Sequence, residues 1–171
     1  MRLQSWVLVM SLTLLSACAT AQTGKLEIPN YSHLALKAHE SSNINLSGML
    51  LRFASHLSRD METKQLLAAI DGIQVRSYEF TSDNAYSHED VDSVRQQLTA
   101  PYWSQVVRTH NHNEKEDVDV FVCLKDGDAC GLAVIVAEPR ELTIVNVVGS
   151  LSMEKLAQLE KHIGMQRLTV D

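Results

Sequence analysis

The sequence predicts an α+β domain in which a mainly antiparallel sheet packs against about four helices. Three observations carry this. Residues 117–124 alternate, with Val118, Val120, Val122 and Leu124 set against Asp117, Asp119, Phe121 and Cys123, which is the period of a half-buried strand. Residues 131–137 and 141–148 are continuous apolar runs joined by Glu138-Pro139-Arg140-Glu141, where proline suits the first corner of a type I turn. Residues 103–109 read as a further strand before them, so the carboxy-terminal strands form a four-strand meander.

The chain begins with a different kind of segment. Arg2 gives a positive start, and Trp6, Val7, Leu8, Val9, Met10, Leu12, Leu14 and Leu15 form an apolar region broken only by Ser11 and Thr13. This is the order and length of a secretory signal peptide, residues 1–17. It is too short to cross the bilayer as a stable helix, which takes roughly 20 apolar residues. Leu15-Ser16-Ala17-Cys18 resembles the bacterial lipobox, which implies that Cys18 carries a diacylglyceryl group and heads the mature chain. Ala19, where aspartate would retain the protein in the inner membrane of enteric-type bacteria, points to the outer membrane facing the periplasm. The alternative is ordinary cleavage after Ala19-Thr20-Ala21, with Cys18 discarded.

Removing residues 1–17 from the 171-residue chain leaves 154, enough for one domain with a useful core. Residues 18–42 read as the lipidated cysteine and a polar tether, and residues 43–171 as the domain. Within it, Ile44 and Leu46 suggest a short strand. Ser47 then caps a helix whose apolar positions are Leu50, Phe53, Ala54 and Leu57. A second helix starts near Met61, buries Leu66, Leu67 and Ile70, and stops at Gly72. Ile73 and Val75 alternate as a strand, and the apolar parity changes by Tyr78 and Phe80, which a bulge would explain. Ser87-His88-Glu89-Asp90 is a capping-box-like start for a helix with Val91, Val94 and Leu98 on one stripe, ended by Pro101. A last helix runs from Ser152 through Leu156, Leu159 and Ile163 to Gly164.

Two cysteines remain after Cys18. Cys123 and Cys130 flank a turn, and an oxidising envelope favours a disulfide between them. A two-residue turn at Asp126-Gly127 would place them opposite each other, whereas a three-residue loop would put them on opposite faces. The net charge is −6, and −7 once Arg2 is removed. An acidic surface disfavours nucleic acid and anionic lipid headgroups, so membrane contact is expected through the lipid. Apolar residues on both faces of 131–137 are expected to be covered within the chain, or else used by a homodimer or an envelope protein partner.

Over nearly the whole mature domain the chain resembles the bacterial domain-of-unknown-function 4252 family. The resemblance rests on Val75-Arg76-Ser77-Tyr78-Glu79-Phe80, on the helix holding Asp90-Val91-Asp92, Val94-Arg95 and Gln97-Leu98, and on Pro101 and Trp103. It continues through Gly131 to Gly149, with Ala137-Glu138-Pro139-Arg140-Glu141-Leu142-Thr143 and Asn146-Val147-Val148-Gly149. It implies an exported protein, often a lipoprotein, and supplies no catalytic residue. Tyr102 stands where related sequences often have glycine, and the two cysteines fall outside the shared pattern.

Candidate chemistry is sparse. His110 and His112 lie with Glu114, Glu116 and Asp117 in a polar stretch and could together hold a metal, although a solvated loop has the same composition. Arg76 and Arg95 are candidate anion ligands, but Arg76 also reads as an outward strand residue and Arg95 can pair with Asp92 one turn earlier. No nucleophile elbow or cofactor loop is present, so no cofactor and no catalytic residue are expected. The sequence therefore points to an envelope lipoprotein with a non-catalytic binding or envelope-maintenance domain. The alternative is a small periplasmic enzyme or metal-binding protein using residues 110–117.

Overall fold

The computed structural model describes residues 23–111 and 116–151. The signal segment, Cys18, His112, Glu114 and the helix expected over 152–163 lie outside them. Six strands, β1 (Glu40–Ser47), β2 (Ile70–Glu79), β3 (Trp103–Asn111), β4 (Glu116–Lys125), β5 (Asp128–Glu138) and β6 (Glu141–Leu151), form one sheet in the order β1-β2-β6-β5-β4-β3. Every neighbouring pair is antiparallel. Strands β3 to β6 are the expected meander, and β2 joins it along β6. Helices α1 (Ser32–Lys37), α2 (Gly48–Leu57), α3 (Met61–Ala69) and α4 (His88–Arg95) complete the described fold, with a 3-10 turn at Gln96–Thr99.

Strand β4 is buried on both faces over Val118–Phe121, which corrects the reading of 117–124 as a half-buried strand. Phe121 and Cys123 enter a core with Ala133, Ile135, Leu142 and Ile144, covered by Val91, Val94 and Leu98. Val118 and Val120 enter a second core with Leu132, Val134, Val147 and the helix residues Leu51 and Leu66. The same division explains the parity change in β2. Its pairing with β1 and β6 runs without interruption from Gly72 to Glu79, and the only register shift with β6 lies earlier, between Ile70 and Gly72. Ile73 packs toward one core and Tyr78 lies in the other, so no bulge separates them.

The stretch expected as a tether is part of the domain from Gly24 onward. Leu26, Tyr31 and Leu34 are buried in the first core. Gly24 holds a positive φ of 88°, and a Cβ there would run into the carbonyl oxygen of Cys130. Only glycine accepts both conditions without strain. Residues 24–31 thus lie as a strap across the sheet, and the Tyr31 hydroxyl donates to the Asp90 carbonyl at 2.6 Å, tying the strap to α4.

Helix ends differ in how they are secured. Asp60 caps α3 by accepting from the Thr63 N–H at 2.6 Å, whereas Ser47 precedes α2 without a side-chain cap. At α4 the Asp90 carboxylate accepts the Ser87 N–H at 2.8 Å, the returning half of the expected capping box. At α2 the expected burial is reversed. Gly48, Leu51 and Ser55 face the core, while Leu50, Phe53 and Leu57 are 54%, 66% and 71% exposed.

Candidate functional site

A cleft of about 720 Å³ lies between the start of α4, the β5–β6 turn, the end of β3 and the start of β4, lined by Asp83, Tyr86, His88, Arg95, His110, Asp117 and Glu138 among others. Its size falls within the range of small-molecule sites. The cleft sits on the first-core face, where the sheet carries two buried polar side chains, Asp119 and Asn146.

Asp119 organises the wall behind the cleft. Its Oδ2 accepts from Arg95 Nε at 3.0 Å and Arg95 Nη2 at 2.7 Å, and its Oδ1 accepts from Gln105 Nε2 at 2.7 Å and Arg108 Nε at 3.0 Å. A buried carboxylate is tolerated only with such compensation. Arg95 also lies 3.6 Å from Asp92, the i−3 pairing expected from its helix position.

Arg95 therefore lines the cleft with its charge already matched by Asp119 and Asp92, which makes it a wall element more than an anion ligand. Arg76 does not line the cleft. Its Nη1 donates to the carbonyls of Val75 at 3.1 Å and Ile44 at 3.4 Å, and its buried Nε has no hydrogen-bond partner among the described residues. The two arginines singled out in the sequence thus do not form one site.

His110 Nδ1 bonds the Asp117 carboxylate across the β3–β4 pair, both residues standing at the cleft mouth. Among the described residues, His39, Glu40 and Glu79 are the group whose ligand atoms come within 4.8 Å of one another, and all three are exposed. Tyr86, which also lines the cleft, donates its hydroxyl to the Glu138 carbonyl at 2.5 Å. Burial first, then the nearby carboxylates of Asp117 and Glu138, push its hydroxyl up to about 12, so it remains a donor throughout the physiological range. These groups can bind and orient a polar ligand.

Asn146 closes the other end of the same face. Its side chain accepts from the Leu26 N–H at 3.0 Å and donates to the carbonyls of Gly24 at 3.0 Å and Leu132 at 3.2 Å. The strap is thereby hydrogen-bonded to the middle of the sheet.

Cys123 and Cys130 are joined in the structure, with Cα atoms 5.1 Å apart. The turn between them has two residues, Asp126 and Gly127, both with positive φ, as a type I′ hairpin requires. Beyond the turn the pairing shifts, so Cys123 stands opposite Gly131 and Cys130 is the extra residue of a bulge. The bridge spans that bulge and does not link a directly opposed pair.

The residues that shape this face, Asp119, Asn146, Gln105, Arg108 and Tyr86, are not among the candidates singled out by the sequence. Within the strand, Asp119 reads as one of several outward acids. Its signal is the arginine 24 residues earlier, visible only once α4 crosses β4.

No curated protein and no solved structure matches the chain. A family model described as a domain of unknown function, DUF4252, matches residues 31–159, from the end of the strap through the whole sheet, and the chain belongs to that family.

Proposed function

We propose that the protein is an exported lipoprotein, acylated at Cys18 and held at the outer membrane facing the periplasm, whose domain is a non-catalytic binding or envelope-maintenance module. The observation that carries the reading is Leu15-Ser16-Ala17-Cys18 at the end of the apolar stretch. The domain supports it in two ways. Gly24, the first buried residue among those described, stands only six positions after Cys18, so an acylated cysteine holds the domain close to the bilayer. The cleft's arginine and buried carboxylate are spent on each other, an arrangement suited to a rigid binding surface. One acyl chain gives reversible attachment and two or more give a stable anchor.

Growth of producing cells with an alkynyl palmitate tests the anchor. The full chain is expected to take up label and to sediment with membranes, and Cys18→Ser to lose both. A wild-type chain that begins after Ala21 and carries no label contradicts the reading.

A second reading rests on His110 and Asp117 facing the cleft together: a metal-binding protein or small periplasmic enzyme using residues 110–117. Zinc would have to raise the melting temperature of wild type and leave His110→Ala unchanged. An identical response in both proteins ends that alternative.

A further inference from the structure

The amino-terminal end of the strap rests on the disulfide loop. Cys123 is fully buried in the first core, and the half-buried Cys130 packs against the same core, on the face that the strap crosses. Gly24 lies against the Cys130 carbonyl and against Gly131, so closely that a Cβ on either glycine would run into the backbone of the other segment. Asn146 ties this end down by accepting from the Leu26 N–H and donating to the Gly24 carbonyl. The next tie is at Glu27, whose N–H and carbonyl both bond the Gln97 side chain at 2.9 Å.

Cys130 is in register with neither neighbouring strand. Pairing with β4 passes from Gly131 opposite Cys123 to Ala129 opposite Leu124, and pairing with β6 from Gly131 opposite Val148 to Ala129 opposite Leu151. A bulged residue lacks the ladder that fixes its neighbours, so its position depends on what else holds it. Here that is the bond to Cys123, whose side chain is locked in the core. Breaking the bond takes two electrons and two protons: a dithiol reductant becomes a disulfide, and Cys123 and Cys130 become thiols. Unbonded heavy atoms keep about 3.5–4 Å apart, so the two sulfurs must separate. The close packing around Cys123 leaves it no room to yield, whereas the bulge can move, and the bulge carries the seat of Gly24.

We propose that the Cys123–Cys130 disulfide is a redox-sensitive latch: intact, it holds the amino-terminal end of the strap in its seat, and reduced by a dithiol it lets residues 24–26 lift. The chain between Cys18 and the first tie then lengthens from six positions, 18 to 24, to nine, 18 to 27. Its extended span grows from about 20 Å to about 30 Å, which sets how far the domain reaches from the lipid. The gain in reach rests on the lipoprotein reading above, but the latch does not. The test reads the latch whether or not Cys18 is acylated, so a failed palmitate labelling overturns the anchor and leaves the latch standing.

Amide exchange is followed in the full chain before and after treatment with dithiothreitol, and alkylation of Cys123 and Cys130 verifies that both thiols have formed. Reduction is expected to speed exchange at Leu26 by about tenfold or more, while Val145 in the centre of the sheet changes by less than about twofold. The double variant Cys123→Ser with Cys130→Ser is expected to show the fast Leu26 rate with and without dithiothreitol, and Gly24→Ala to show it with the bond intact. Equal Leu26 rates in oxidised and reduced protein overturn the latch. A parallel rise at Leu26 and Val145 also overturns it, by making the disulfide a staple of the whole domain, as does a bond that dithiothreitol opens only in urea.

Discussion

On one face of the sheet Asp119 and Asn146 are buried among Leu26, Ile135 and Ile144, each ringed by hydrogen-bond partners. On the other face Val118, Val120, Val134 and Val147 meet Leu51 and Leu66, and the buried polar group there, Ser55, bonds the Arg52 carbonyl in its own helix. The two faces are therefore held differently. Aliphatic contacts depend on area and shape and accommodate substitutions of similar volume. A buried polar group instead demands particular partners in particular places, because an unpaired one costs more than a made bond returns. The polar face accordingly holds what must be placed accurately: the strap, α4 and the cleft wall. The aliphatic face supplies bulk, with α2 laid on it.

Substitutions can sharpen that contrast. The largest effect is expected at Asp119. Asp119→Ala strands Arg95 against a partly buried wall and should lower stability by about 3–5 kcal/mol in urea unfolding. A loss no larger than that of Val120→Ala would erase the distinction between the faces. Next comes Asn146→Leu, which keeps volume but removes the acceptor of the Leu26 N–H and the donor to the Gly24 and Leu132 carbonyls, at a cost of about 2–3 kcal/mol.

Asp90 gives a smaller effect with a pH signature. Burial alone would raise its carboxyl, but the Ser87 N–H and hydroxyl and His33 outweigh that and hold it below the usual carboxylate range. Its contribution is present above the ordinary aspartate value and is lost as pH falls through the lowered one. Asp90→Asn should cost about 1 kcal/mol at neutral pH and make acid unfolding less steep. Equal pH dependence in the two proteins would remove Asp90 from the account. The smallest change is expected at Leu57→Gln, within about 0.5 kcal/mol of wild type, because the side chain touches little of the domain.

The strands were the most legible part of the chain. Runs such as 131–137 and 141–148 allow few alternatives, and the Pro139–Arg140 turn closes them into a hairpin. Helix α4 was legible for a related reason, since Val91, Val94 and Leu98 are both its most apolar stripe and its buried one. In α2 those two stripes differ. Periodicity selects Leu50, Phe53 and Leu57, whereas the core takes Gly48, Leu51 and Ser55, a set with one large apolar residue. The strap was missed because Leu26, Ile28, Tyr31 and Leu34 are sparse and irregularly spaced, and its hydrogen bonds run to a residue 122 positions away. The candidate site was the least legible. Asp119 and Asn146 interrupt apolar strands as solvent-facing residues would, and only the tertiary pairing separates a buried polar group from an exposed one.

The strap is part of the domain, and its course fixes where the chain leaves the fold toward Cys18. Hydrogen exchange of the Leu26 amide, which donates to Asn146 Oδ1, tests this most directly. Protection in wild type is expected to approach that of the Val134 and Val145 amides in the central strands, with selective loss in Asn146→Leu. A Leu26 amide that exchanges in wild type as fast as an unstructured peptide would contradict it.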